Sequence, residues 1–322
     1  MLALRSLAFL VALAVPVSGA WAQAYPSKSI RFVAPFPAGG SSDLIARVVG
    51  QRYADALGQP VVIDNRPGAS GSLGTALVAK SAPDGYTLAL ASIASHAING
   101  VLYKNIGYDP VRDFATVSGI ANAPQALVIH PGVPAKNVAE LLALARAKPD
   151  TLTCGSGGVG TPAHLGCEML RVLAGIRIIH VPYKGTGQSV NDLLGGQIHM
   201  VLASMPVAFA HVRTGKLRAL AVSTAARTPL APDLPTLSEA GVPGYVSESW
   251  WGLTVPAGTP APVIERLRKE TERAVADPQI RERFAALGID PWYKSPAEFR
   301  EVMRTEIART VRLVRDAGIK PE

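Results

Sequence analysis

Two turns in this 322-residue chain combine the residue types that bind anions. One is Pro37-Ala38-Gly39-Gly40-Ser41-Ser42-Asp43, and the other is Gly155-Ser156-Gly157-Gly158-Val159-Gly160-Thr161. Each lies between an apolar run of strand type and the start of a helical pattern. A helix start leaves backbone N–H groups without intrahelical partners, and the helix dipole favours negative charge there. Glycine lets the backbone come close to a ligand and adopt positive φ. The hydroxyls of Ser41, Ser42, Ser156 and Thr161 add donors. One such turn is ordinarily a shaped corner. Two of them, on the edge where open sheets bind ligands, point to a site for a negatively charged group.

Other chemistries fit less well. The second turn matches the dinucleotide pattern G-x-G-x-x-G, which also needs an acidic residue at the end of the next strand to hold a ribose. That strand ends His180-Val181-Pro182-Tyr183-Lys184, without a carboxylate, so no nicotinamide or flavin cofactor is expected. There is no phosphate-binding P-loop. Gly68-Ala69-Ser70-Gly71-Ser72 misses the hydrolase nucleophile pattern by one position. No two of the six histidines have the i, i+4 spacing of a helical metal pair. Two cysteines exclude both a cysteine-only zinc site and a disulfide-dense scaffold.

The elements that must position the turns follow from hydrophobic periodicity. Ile30 to Ala34 reads as a buried strand, and Leu44, Ile45, Val48, Val49, Tyr53 and Leu57 line one face of a helix that Gly58 ends. Val61 to Asp64 is a strand, a helix runs through Lys80, and Thr87 to Ala91 is a third strand. That β-α-β-α-β order starts a parallel sheet whose strand ends and helix starts share one edge. A second series follows: strands Ala126 to Ile129, Leu152 to Cys154, Ile178 to Val181, Met200 to Ala203 and Leu217 to Val222. Helices over 138–145, 162–173, 190–194 and 207–213 alternate with them. Trp250 to Val255 is then one strand, followed by helices over 260–276, 278–287 and 296–317. Three helices and one strand cannot form a sheet domain alone, so they return to the first unit. The expected architecture is α/β with two lobes, 25–124 plus 246–322 and 125–245, each a mainly parallel sheet flanked by helices. Two chain crossings make a hinge and leave a cleft between the lobes.

Composition agrees with a folded chain: 48% of residues are apolar and 17% charged, which rules out disorder. Residues 1–24 form a separate segment. Arg5 is its only charge, Leu7 to Val17 is apolar, and Ala20-Trp21-Ala22 or Ala22-Gln23-Ala24 supplies a small-residue cleavage site. This is the pattern of a cleavable secretory signal peptide, so a periplasmic location is expected. Without a twin arginine the chain is expected to be exported unfolded. The mature charge falls from +8 to +7. The densest basic residues, from Arg266 to Arg283, interleave with Glu265, Glu270, Glu272 and Glu282 at helical spacing. That is a solvated helix face, and no nucleic-acid partner is expected.

With those turns in place, the chain resembles the Bug family of extracytoplasmic solute-binding proteins linked to tripartite tricarboxylate transporters. The stretches that carry the resemblance include Pro35-Phe36-Pro37-Ala38-Gly39-Gly40 with Asp43, Asn65-Arg66-Pro67-Gly68-Ala69 with Gly71, and Pro83-Asp84-Gly85-Tyr86-Thr87. Further along come Tyr108-Asp109-Pro110, Gly155-Ser156 with Gly160 and His164-Leu165, Pro182-Tyr183-Lys184-Gly185, and Trp251-Gly252 with Pro256-Ala257-Gly258-Thr259-Pro260. They span essentially the whole mature chain.

The resemblance implies a monomeric, type II-like binding protein that closes on a small organic carboxylate and delivers it to membrane subunits of the transporter, without chemistry or cofactor. It implies that the ligand carboxylate sits between Phe36, Ala38, Gly39, Gly40 and Ser41 on one side and Ser156, Gly157, Gly160 and Thr161 on the other. Asp43 takes the family's acidic position, or simply caps a helix. Gly71 and Ser72 start another helix on the same edge, and Ser92, Ser95 and His96 follow the third strand into the cleft. Lys184, Gly185 and Thr186 follow a strand of the second lobe; Lys184 either neutralises a second carboxylate or is solvated. His164 either contacts ligand or packs. Trp250 and Trp251 are hinge or core residues, or one of them faces the cleft. Cys154 and Cys167 depart from the family pattern and are either bridged or buried thiols. A carboxylate sensor reporting to a membrane kinase and a secreted enzyme are the alternative functions.

Overall fold

The computed structural model describes residues 25–316 together with 318, 319 and 321. The expected signal peptide, residues 1–24, and Ala317 lie outside the described residues.

The first unit begins with β1 (Ile30–Ala34), α1 (Ser41–Leu57), β2 (Val61–Asn65), α2 (Ser72–Ala79) and β3 (Thr87–Ser92). Gly58 ends α1 in the left-handed region at φ +68°, where a side chain would be strained. A five-residue π-helical segment (Ala94–Ile98) leads into the short α3 (Asn99–Leu102). β4 (Phe114–Ile129) follows, and then α4 (Val138–Ala147), β5 (Thr153–Ser156), α5 (Pro162–Ala174), β6 (Ile179–Pro182), α6 (Thr186–Leu194), β7 (Met200–Ser204), α7 (Met205–Arg213) and β8 (Arg218–Val222). The chain ends with β9 (Glu248–Pro256), α8 (Ala261–Ala276), α9 (Pro278–Leu287), β10 (Asp290–Lys294) and α10 (Pro296–Asp316).

β4 joins the two halves. Residues Phe114–Pro124 pair with β9, and β10 joins over Gly119–Asn122. From Gln125 to Ile129 the same strand pairs with β7 and β8. Pro124 stands at the change of partners. The sequence reading found only the end of β4 and missed β10. The reason is composition: Gly119, Asn122 and Pro124 in β4, and Asp290 and Pro291 in β10, are poor strand formers that long-range pairing overrides.

The sheets are more mixed than the mainly parallel expectation. β2-β1-β3 and β6-β5-β7 are parallel, but every pairing made by β4 and β9 is antiparallel. β4 passes directly from one half to the other without a helical crossover, and direct passage is compatible with antiparallel pairing.

Separate cores hold the two halves. Ile30, Phe32, Tyr53, Leu90, Leu253 and Phe284 belong to one, and Leu127, Leu141, Leu170, Leu202 and Tyr245 to the other. The buried phenols find partners: Tyr53 shares a 2.6 Å hydrogen bond with Thr271, and Tyr245 donates to the Gly166 carbonyl at 3.0 Å. The second core includes a disulfide between Cys154 at β5 and Cys167 in α5, with Cα atoms 6.2 Å apart. Closing a loop of this length restricts the unfolded chain by about 3 kcal/mol in the chain-entropy account. The Cys154→Ala/Cys167→Ala variant is therefore expected to lose up to ~3 kcal/mol in denaturant titrations. Loss of the same size on adding reductant to the parent protein, and none in the variant, is the accompanying check.

Candidate functional site

A cavity of about 510 Å³ lies between the two halves. Its walls are set by where strands end and helices begin. The residues preceding α1, α5, α6 and α7, which are Gly40, Thr161, Gly185 and Ser204, all line it. Gly40, Gly185 and Ser204 make no side-chain cap bond, so the first-turn amides of three helices are left without a capping side chain. Each helix start is equivalent to roughly half a positive charge, so four sum to about two. Among the described residues that line the cavity there is no Lys, Arg, Asp or Glu; His211 is its one histidine. The site is thus electropositive through backbone dipoles, with hydroxyls and amides from Ser41, Ser42, Ser92, Gln125 and Ser249 in support. Phe36, Val190, Leu202, Val207 and Trp251 supply apolar wall.

The halves touch around this cavity. Ser41 and Ser204 share a buried 2.7 Å hydroxyl hydrogen bond from one half to the other. The Val159 carbonyl accepts from Ser70 Oγ and, at 2.9 Å, from Tyr103 Oη. A Cβ on Gly185 would come within 3.1 Å of the Pro37 ring. These contacts hold the two halves closed on each other.

Of the residues expected in the site, Phe36, Ala38, Gly39, Gly40, Ser41, Ser92, Thr161, Gly185 and Thr186 line the cavity. The others stand elsewhere. Ser156 is buried, with its Oγ 2.6 Å from His180 Nε2 and accepting from the Gly158 N–H at 3.1 Å. A Cβ on Gly157 would meet the Thr186 amide nitrogen at 2.9 Å, and one on Gly160 would meet Asn99 Oδ1 at 2.7 Å. The second glycine turn thus presses on its neighbours and on the other half, while its helix start, Thr161 to Ala163, reaches the cavity. Glycine serves close backbone packing there.

Asp43 is buried beside the first turn. It accepts from the Gly39 N–H at 2.9 Å and pairs with Arg47, so it shapes the turn from behind. Burial pushes its carboxyl up, but the bonds from Arg47 and Gly39 outweigh this and hold it below the usual range. Gly71, at φ +92°, packs on the Phe36 ring, and Ser72 Oγ accepts from Asn99 Nδ2 at 2.9 Å. Lys184 is exposed and outside the lining. His164 is buried, its ring 4.5 Å from that of His180. Ser95 and His96 are fully buried: Ser95 Oγ lies 2.9 Å from His96 Nδ1, and the imidazole packs on Phe114 with ring centres 4.8 Å apart. The third strand's exit bends into the π-helical segment, which turns these two residues into the core. Trp250 and Trp251 divide: Trp250 packs on Phe299, whereas Trp251 lines the cavity and donates from Nε1 to Ser42 Oγ at 3.0 Å.

Sequence reasoning missed Gln125, Gln188, Asn191, Ser204, His211 and Ser249. Ser204 carried a usable signal, since Ser204-Met205-Pro206 follows a strand and places Pro in the first helical turn. The rest carry none, because they reach the cavity through tertiary placement.

Two buried histidines make stability pH-dependent. Burial lowers His96 to about 3, and burial with the neighbouring His164 lowers His180 to about 4. An unfolded histidine titrates near 6.5, so between these values the unfolded chain binds more protons and stability rises with pH. The protein is expected to keep this stability above pH ~6.5 and lose it progressively towards pH 4. Urea midpoints at pH 7 and 4.5 test this, and His96→Gln is expected to show a smaller difference between them.

Comparison with known proteins follows the same lines. The family model described as tripartite tricarboxylate transporter family receptor matches residues 45–319. The protein BugT of Bordetella pertussis is 38% identical over 309 residues, covering 96% of this chain and 94% of BugT. The structure of an R. palustris protein with adipate superposes with a TM-score of 0.90 at 35% identity, covering 92% of this chain and 100% of that one. MatC from Rhodopseudomonas palustris, solved with bound malate, gives a TM-score of 0.86 at 31% identity, covering 90% of this chain and 100% of that one.

Proposed function

Since the chain belongs to the tripartite tricarboxylate transporter receptor family, we propose that it is a periplasmic receptor which captures a small organic carboxylate between its lobes. It hands the ligand unchanged to the membrane subunits of a tripartite transporter. The observation that carries this reading is the convergence of four helix starts from both halves on one cavity with no acidic residue in its wall. Adipate and malate in the two related structures support the choice of a carboxylate as the anion. Residues 1–24 act as the export signal, and the receptor works as a monomer.

Magnitudes require closure. Micromolar affinity needs about 8 kcal/mol. A helix start contributes roughly 0.3–1 kcal/mol to an anion, and ~2 in a partly buried geometry. Charge-assisted hydrogen bonds and exclusion of water must add to the dipoles, and both depend on the lobes shutting. The moving bodies in this reading are 25–124 plus 246–322 and 125–245. The hinge lies where β4 changes partners at Pro124 and where the chain returns into β9 at Glu248. Ligand selects the closed form, and the membrane partner distinguishes closed from open.

Thermal-shift screening of purified protein against a carboxylate panel tests the reading. At least one carboxylate is expected to raise Tm in proportion to the logarithm of its concentration, as mass action requires. Its amide analogue is expected to leave Tm unchanged. Failure of every carboxylate at millimolar concentration would reject the assignment.

A further inference from the structure

The cavity face of α7 begins at Ser204 and continues through Val207 and Ala210 to His211. Positions three and seven residues on lie on one side of a helix, and seven residues advance about 10 Å. The wall is therefore polar at the helix starts, apolar for two turns, and polar again at His211. His211 is half-buried and lines the cavity at the far end of this face, where its ring offers a hydrogen-bond donor. Asn191 of α6 also lines the cavity and adds an amide to its wall.

We infer that His211 is a specificity-determining residue that reads a second acidic group on the ligand, at the end remote from the carboxylate held by the helix starts. This rests on the carboxylate reading above. A ligand lying along α7 places its apolar middle on Val207 and Ala210 and its far end beside the imidazole. A neutral far end gains an ordinary hydrogen bond there, whereas a carboxylate gains a charge-assisted one, about twice as strong. The selected class is thus an elongated dicarboxylate, chosen over a monocarboxylate of equal length.

Isothermal titration with matched α,ω-dicarboxylates and monocarboxylates of four to seven carbons provides the test. The parent protein is expected to prefer the best dicarboxylate over its monocarboxylate counterpart by at least tenfold. His211→Ala is expected to cut that ratio about tenfold, and His211→Gln, which keeps a donor, to cut it less. Equal affinities for the two series in the parent protein, or a ratio that survives in both variants, would overturn the inference while leaving the carboxylate receptor intact. Binding of neither series would instead remove the functional reading on which it stands. The comparison within the parent protein stands even where a variant fails to fold.

Discussion

Replacing Ser204 by aspartate is expected to abolish ligand binding while leaving the thermal stability of the free protein unchanged or slightly raised. The two effects have opposite signs for one physical reason. Ser204 precedes α7 and makes no side-chain cap bond to it. Aspartate is a preferred residue at this position, and its charge is favoured by the helix dipole by roughly 0.3–1 kcal/mol. The same charge enters a cavity on which four helix starts converge to attract an anion. Against a ligand carboxylate about 4 Å away, at an effective dielectric of 20, the repulsion is about 4 kcal/mol, or roughly a thousandfold in affinity. Ser204→Asn, of similar size and without the charge, is expected to keep most of the affinity. Titration calorimetry and thermal melts on the two variants check both halves. An aspartate variant that still binds carboxylate would show that the anion does not sit at the start of α7.

Substituting Gly160 by alanine is expected to weaken binding by about tenfold to a hundredfold through closure, although Gly160 does not line the cavity. Gly160 sits at φ +81°, and a Cβ would lie 2.7 Å from Asn99 Oδ1 and 3.1 Å from the Tyr103 ring, both in the other half. The left-handed backbone costs about 1–2 kcal/mol whether the lobes are open or shut. The clash arises only when they are shut, so it subtracts from ligand affinity. Asn99→Ala removes the nearest obstructing atom, and the Gly160→Ala/Asn99→Ala double variant is expected to recover part of the lost affinity. A double-mutant cycle measures that recovery. Unchanged affinity in Gly160→Ala would mean that the contact between the second glycine turn and Asn99 is not part of the ligand-bound form.

Much of the molecule is written in the order of its residues. The alternation of apolar runs and helical periodicities, with Gly58 and Gly175 as helix stops and Pro162 and Pro278 as helix starts, marks nearly every α/β element. These signals are local, since a strand or cap depends on residues a few positions apart. The glycine turns announced backbone amides at helix starts for the same reason. What they could not announce is which surface each turn meets. Glycine is equally apt for opening on a cavity, as at Gly39 and Gly40, and for admitting another part of the chain, as at Gly157 and Gly160. Tertiary packing made that choice. It also carried β4 through both sheets despite Gly119 and Pro124, turned His96 into the core, and brought Ser204 and His211 to the cavity. Sequence determines where the backbone can expose donors, because that is a matter of local conformation. Only the closed arrangement of the two halves decides which donors face one another, because that depends on contacts between residues far apart in the chain, such as Ser41 and Ser204.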